Sequence, residues 1–154
     1  VYPTALLLTR QAHDTPDITP GSVSLVVTSP PFLDVVDYAQ DNWLRCWFCG
    51  IDPHRVPITM ARSVDEWRES MRQVFRELVR VLKQGGWIAF EVGEVRGGQV
   101  RLEEVVLDAV CGLPLEPVAV VINDQRFTKT AHIWGVSNLT RGTNTNRIVL
   151  LRRR

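Results

Sequence analysis

What this sequence has little of narrows its class before any motif is considered. Its 154 residues include three cysteines, Cys46, Cys49 and Cys111. They are too few, and odd in number, to staple a fold, which points to a reducing, cytoplasmic setting. No apolar run approaches the roughly 18 residues that a membrane-spanning helix needs. The opening Val1-Tyr2-Pro3-Thr4 has no basic stretch ahead of an apolar one, so no secretory leader is expected there. The chain also begins without methionine, and further residues are expected upstream. Charge of one sign is missing as well: 18 basic against 17 acidic side chains leave a net charge of +1. Overall charge therefore does not advertise a nucleic-acid binder. Basic residues cluster at Arg147 and at Arg152 to Arg154, and a solvated tail explains the last three equally well. Cys46-Trp47-Phe48-Cys49 has the spacing of half a zinc site, with His54 close behind, but no second pair follows. Buried thiols among core aromatics are expected there, and no metal.

What is present fits one soluble globular domain over residues 1–154, since 45% of the residues are hydrophobic and 23% charged. Thr4 to Thr9 (TALLLT) predicts a short strand. Asp14 to Gly21 is a turn-rich connection. Val23 to Thr28 (VSLVVT) has the β-branched, nearly unbroken apolar character of a strand buried on both faces. It must end at Ser29-Pro30-Pro31, because consecutive prolines cannot donate to a ladder. A helix is expected from Ser63 to Leu82. Ser63 and Glu66 make a capping box, and Trp67, Met71, Val74, Phe75, Leu78 and Leu82 follow the 3.6-residue period. Gly85-Gly86 stops it. Trp87 to Val92 predicts a strand, Leu102 to Val110 a helix, and Val118 to Asn123 and Arg147 to Leu151 two more strands. The alternation argues for a partial, mostly parallel α/β sheet of about five strands, with the last two pairing antiparallel at one edge. Ligands of such a sheet sit beyond the carboxyl ends of its strands, where Thr28 to Phe32 and Glu91 to Val95 fall.

Ser29-Pro30-Pro31-Phe32 is the most informative tetrapeptide. Two prolines fix φ and remove two N–H groups, so the neighbouring carbonyls are held in one geometry. Such a turn can aim a hydroxyl and a carbonyl oxygen at one exocyclic amine, while Phe32 offers a flat face for a base. Two acceptors on the amine would draw its nitrogen toward tetrahedral geometry and free the lone pair for attack on a sulfonium methyl. Catalysis then rests on positioning and electrostatics, with no covalent enzyme intermediate. Read alone, the tetrapeptide is also a strand-terminating turn.

In its setting after V-x-L-V-V-T, the motif resembles that of the S-adenosylmethionine-dependent amino-methyltransferases of DNA. In that family D/N/S-P-P-Y/F ends the fourth strand of a Rossmann-like sheet. The Ser-first form is similar to the N4-cytosine enzymes, and Asp-first forms are typical of the N6-adenine ones. Leu82-Lys83-Gln84-Gly85-Gly86-Trp87 resembles the L-K-P-G-G turn before the fifth strand, with Gln84 in place of proline. Asn146-Arg147-Ile148-Val149-Leu150 resembles the late strand closing the target-base pocket. The resemblance places Ser29, Pro30, Pro31 and Phe32 at the catalytic site. It also places Thr28, Ser29, Glu91 and Gly93 near the cofactor, and Asn146 at the substrate.

The Gly-rich F-x-G-x-G cofactor loop of that family is absent from this sequence. Glu91 to Gly98 has the wrong spacing for it. Either a circularly permuted chain ends before its cofactor half, or an unpermuted one lacks its N-terminal part. Two irregular segments are candidates for substrate contact. Leu33 to Arg62 carries Asp37, Tyr38 and Asn42 with Trp43, Trp47 and Phe48, which either cradle an extruded base or pack a helix into the core. Arg126 to Arg147 holds Lys129 and Arg141, candidates for phosphate contacts, and Asn146. The expected partner is DNA, with N4 of cytosine ahead of N6 of adenine. RNA is an alternative substrate. A non-catalytic remnant that binds nucleic acid or a partner subunit is a further one. A homodimer or a separate cofactor-binding chain would restore the missing part.

Overall fold

The computed structural model describes residues 5–31, 33, 37–56, 61–95, 99–124 and 145–154. Among them the sheet order is β1-β2-β5-β4: β1 (Val23–Thr28), β2 (Leu82–Val95), β5 (Thr145–Arg153) and β4 (Leu115–Asp124). A two-residue strand, β3 (Val100–Arg101), pairs with the far end of β2. β1 and β2 are parallel, whereas β5 is antiparallel to both β2 and β4. Three of the four long strands therefore run the same way. The reversed strand, β5, lies inside the sheet, and β4 forms the rim.

Helix α3 (Val64–Val81) starts as its capping box dictates, with Ser63 accepting from the Glu66 amide at 3.2 Å. Its stripe of Trp67, Met71 and Phe75 is buried against one face of the sheet, where Phe75 and Phe90 pack with ring centroids 4.8 Å apart. Helix α4 (Leu102–Val110) joins it there through Leu102, Val106, Ala109 and Val110. Helix α3 ends at Val81, ahead of the glycines. Gly85 then takes φ +76° in an irregularity between Val23↔Leu82 and Leu25↔Trp87, a conformation that a side chain would strain.

Irregular residues 10–22 are strapped to α3. Arg80 donates to the carbonyls of Ile18 (2.9 Å) and Thr15 (2.7 Å) and to Glu77, which in turn accepts from the Thr15 amide and hydroxyl. The Arg80 guanidinium, with Thr15 assisting against partial burial, holds the Glu77 carboxyl down at about 2.

The strand expected over Thr4 to Thr9 does not form. Ala5–Thr9 is irregular, with Leu6 and Leu7 exposed. Apolar character alone does not make a strand without a ladder to join, and no described strand pairs with this segment. Between the motif and α3 lie two short helices, α1 (Tyr38–Asp41) and α2 (Trp43–Phe48), and a 3-10 turn at Pro53–Arg55. Core packing of the aromatics of α2 is overturned: Trp43, Trp47 and Phe48 are 57%, 68% and 76% exposed. The buried thiols are overturned with them, since Cys46 is half-buried and Cys49 and Cys111 are exposed. Six residues of helix span less than two turns, too short to hold one face against the sheet. No helix among the described residues is long and apolar enough to cross a membrane.

Candidate functional site

The strand directions bring the carboxyl ends of β1, β2 and β4 and the amino end of β5 to one edge of the sheet. Ser29, Pro30 and Pro31 leave β1 there. The turn is held from behind: the Trp67 indole Nε1 donates to the Pro31 carbonyl at 2.8 Å, from a ring that is itself buried in the core. On the other side of the motif, Leu33 is buried in the same core cluster. The positions on either side of Phe32 are thus anchored to α3 and to the core; Phe32 itself lies outside the described residues. Ser29 is exposed, and Pro30 and Pro31 are half-buried.

Register decides which side chains share a face, because paired residues point the same way and successive ones alternate. Thr28 pairs with Phe90 and so belongs to the helix-covered face. Glu91 pairs with Ile148 and Gly93 with Asn146, on the opposite, open face. The next rung extends this face to Asn123, which pairs with Asn146. Adjacent strands are about 4.8 Å apart. Glu91, Gly93 and Asn146 therefore form one patch beside the end of β1, in which Gly93 is buried and contributes no side chain. Asn123 was not anticipated. Its only signal is a polar residue closing the apolar run of β4, which a turn would also explain.

Behind the same edge, Arg147 Nε lies 2.7 Å from Glu103 Oε1, and both side chains are nearly nine-tenths buried. Glu103 is the buried charged residue of the described core. The pair ties the amino end of β5 to the first turn of α4, and so sets where Asn146 sits.

Three of the expected substrate residues lie apart, in the α1–α2 unit, and two of them serve local structure. Asp37 caps α1 by accepting from the Gln40 amide at 3.1 Å. Asn42 donates to the Tyr38 carbonyl and accepts from Arg45. Tyr38 and Asn42 also line an apolar pocket of about 330 Å³ with Cys46, Cys49, Ile51 and Val56, all from this unit. Lys129 and Arg141 lie outside the described residues. No group of three or more potential metal ligands occurs among the described residues.

No sequence-family profile matches the chain, and no curated protein matches it by sequence. Solved structures do. A candidate DNA modification methylase of Thermus thermophilus superposes in three crystal structures. The native form gives a TM-score of 0.56 at 19% identity over 94% of this chain and 52% of that one. The selenomethionine form gives 0.52 at 21% identity over 88% and 47%. The form complexed with S-adenosyl-L-methionine gives 0.54 at 20% identity over 93% and 53%. The likeness establishes the fold, a partial Rossmann-like methyltransferase sheet, and the chain spans about half the length of the structures it matches.

Proposed function

We propose that this chain is the target-base part of an S-adenosylmethionine-dependent methyltransferase acting on an exocyclic amine of DNA, N4 of cytosine in the first place. The observation that carries the reading is the Ser29-Pro30-Pro31 turn. It sits at the carboxyl end of a parallel strand and is pinned by Trp67, in a fold similar to that of a candidate DNA modification methylase.

With the Pro31 carbonyl engaged by Trp67, the acceptors offered to the amine are the Pro30 carbonyl and the Ser29 hydroxyl. Both accept from the N–H bonds of the extruded base, which Phe32 stacks against. Holding the nitrogen by two acceptors localises its lone pair and orients it for in-line attack. The amine proton passes to solvent after transfer, Ser29 being exposed. S-adenosylmethionine supplies the electrophilic sulfonium methyl. The open-face patch suits one wall of its site, with a carboxylate at Glu91 beside Gly93, and Ser29 flanks that wall from the end of β1; Thr28, on the helix-covered face, is set apart from it. Asn146 closes the base side. Asp37, Tyr38, Asn42, Lys129 and Arg141 are proposed for flanking DNA contacts. The enzyme is proposed to work with a complementary cofactor-binding part.

The test is transfer of labelled methyl from S-adenosylmethionine to duplex DNA by the complete enzyme, followed by nucleoside analysis. N4-methylcytosine is the expected product, and loss of at least a hundredfold in rate is expected for Ser29→Ala and for Phe32→Ala with the fold intact. Wild-type rates in either variant would remove that residue from the mechanism, and methylation of RNA alone would replace the substrate.

A further inference from the structure

The α1–α2 unit carries two thiols that methyl transfer does not use. Helix α2 closes in a complete Schellman turn. The Ile51 amide donates to the Cys46 carbonyl at 2.8 Å, and the Gly50 amide donates to the Trp47 carbonyl at 3.1 Å. Gly50 takes φ +65°, the left-handed position that this turn requires. The Cys49 amide adds a tighter bond to the Cys46 carbonyl at 3.1 Å. Cys46 is thus fixed in the last turn of α2, and Cys49 is its C-cap.

Helix pitch then sets their separation. Three steps of an α-helix place two Cα atoms about 5 Å apart, and three steps of a 3-10 helix about 6 Å. Both values fall within the roughly 4.4–6.8 Å that a disulfide spans. Residues three apart share one side of a helix, and both cysteines line the same apolar pocket with Tyr38, Asn42 and Ile51. Both are free thiols, Cys46 half-buried and Cys49 exposed. Among the described residues no group of three potential metal ligands forms around them, as a structural zinc site would need. Cys111 is set apart, since it caps α4 and lines a different pocket.

The geometry points to Cys46 and Cys49 as a reversible dithiol–disulfide site whose co-reactant is a small-molecule disulfide of the glutathione class. The exposed Cys49 thiolate attacks one sulfur of that disulfide, whose S–S bond breaks. One small thiolate leaves, and a mixed disulfide remains on Cys49. Cys46 then attacks the Cys49 sulfur, the mixed bond breaks, and the second small thiolate leaves. Both protons lost by the protein pass to the two leaving thiolates. Two protein thiols are oxidised, and one small disulfide is reduced to two thiols.

The bond so formed is labile. Helical Cβ atoms three residues apart lie about 5–6 Å from each other, whereas a disulfide needs about 3.5–4.5 Å. Closure therefore draws Cys49 inward by about 1–2 Å. The shift is taken up at the C-cap and at Gly50, where an added Cβ would meet nothing within 4 Å. A bond closed against such strain returns readily to two thiols, as redox-sensing disulfides do. Closure also loosens the Schellman bonds and reshapes the pocket beside Tyr38 and Asn42. This chemistry is independent of the proposed methyl transfer.

The purified chain is equilibrated in mixtures of reduced and oxidised glutathione, quenched with N-ethylmaleimide and digested with trypsin. Cleavage after Arg45 and Arg55 releases both cysteines in one peptide. The expected product is that peptide, unalkylated and lighter by two hydrogens. The ratio of bridged to open chain should rise about a hundredfold when reduced glutathione falls about tenfold at fixed oxidised glutathione, because two small thiols are released. Cys49→Ser should instead carry a mixed disulfide on Cys46, with only about a tenfold dependence, and Cys111→Ser should behave as wild type. The wild-type dependence decides the matter even if Cys49→Ser disturbs α2. Mixed disulfides on both thiols without a bridged peptide, a bridge to Cys111 or a chain-to-chain dimer would each overturn the inference. So would two thiols that stay reduced at the most oxidising ratio.

Discussion

Adjacent residues of β2 live in different environments. Ile88, Phe90 and Val92 are inaccessible to solvent, while Trp87, one residue away, is 38% exposed and lies beneath the Arg152 guanidinium at 5.8 Å. The sealed face is a finished core; the open face has similar apolar chemistry without a cover. Stability of the chain on its own therefore comes mainly from one side of the sheet. Amino-acid type does not separate the two faces, since Val26 and Val27 are the same residue.

The contrast can be broken most severely from within. Phe90→Ala removes a ring packed on Phe75 and should cost about 3–5 kcal/mol in urea unfolding, enough to unfold a marginal domain. Glu103→Ala removes a nearly buried carboxylate that pairs with Arg147 and should cost about 3 kcal/mol. Equal stability of Glu103→Ala and wild type would mean that solvent reaches the pair.

Milder changes sharpen the comparison. Trp67→Phe keeps the packing but loses the bond to the Pro31 carbonyl. A loss of about 1 kcal/mol is expected by thermal unfolding, with a larger fractional loss of methyl-transfer rate than of substrate affinity in the complete enzyme. Glu77→Gln tests the strap. The native carboxyl titrates at about 2, below its ordinary 4.5. Its stabilisation is therefore full above pH 4.5 and vanishes as pH falls toward 2. The variant should be less stable than wild type at neutral pH by about 1–3 kcal/mol, and the two should converge in acid. A gap independent of pH would assign the effect to packing. Smallest of all, Val27→Thr should change the stability of the chain alone by less than about 0.5 kcal/mol, in contrast to Phe90→Ala on the same sheet.

Much of this was legible in the sequence wherever the signal is local. Ser63 and Glu66 mark the start of α3, the Trp67–Met71–Phe75 stripe marks its buried side, and the paired prolines mark the end of β1. Signals that depend on a distant partner were not legible. TALLLT has strand chemistry and no ladder. The aromatics of α2 have core chemistry and no core within reach. Trp67 satisfied the helical period, so packing explained it completely, and the second use of its ring became visible only when 36 residues of separation collapsed into one hydrogen bond. The patch of Glu91, Gly93 and Asn146 likewise exists only through register. Resemblance supplied three of its members, and the ladder added Asn123.

The indole that holds the Pro31 carbonyl has an optical consequence. Trp43, Trp47 and Trp87 are open to solvent, whereas Trp67 is 2% exposed. Among the described tryptophans, emission that survives iodide quenching therefore belongs to Trp67, whose N–H is bonded to the motif itself. The molecule carries an intrinsic fluorophore at the back of its proposed reaction centre. A change in that protected emission on addition of cofactor or DNA would register movement of the Ser29-Pro30-Pro31 turn without any label.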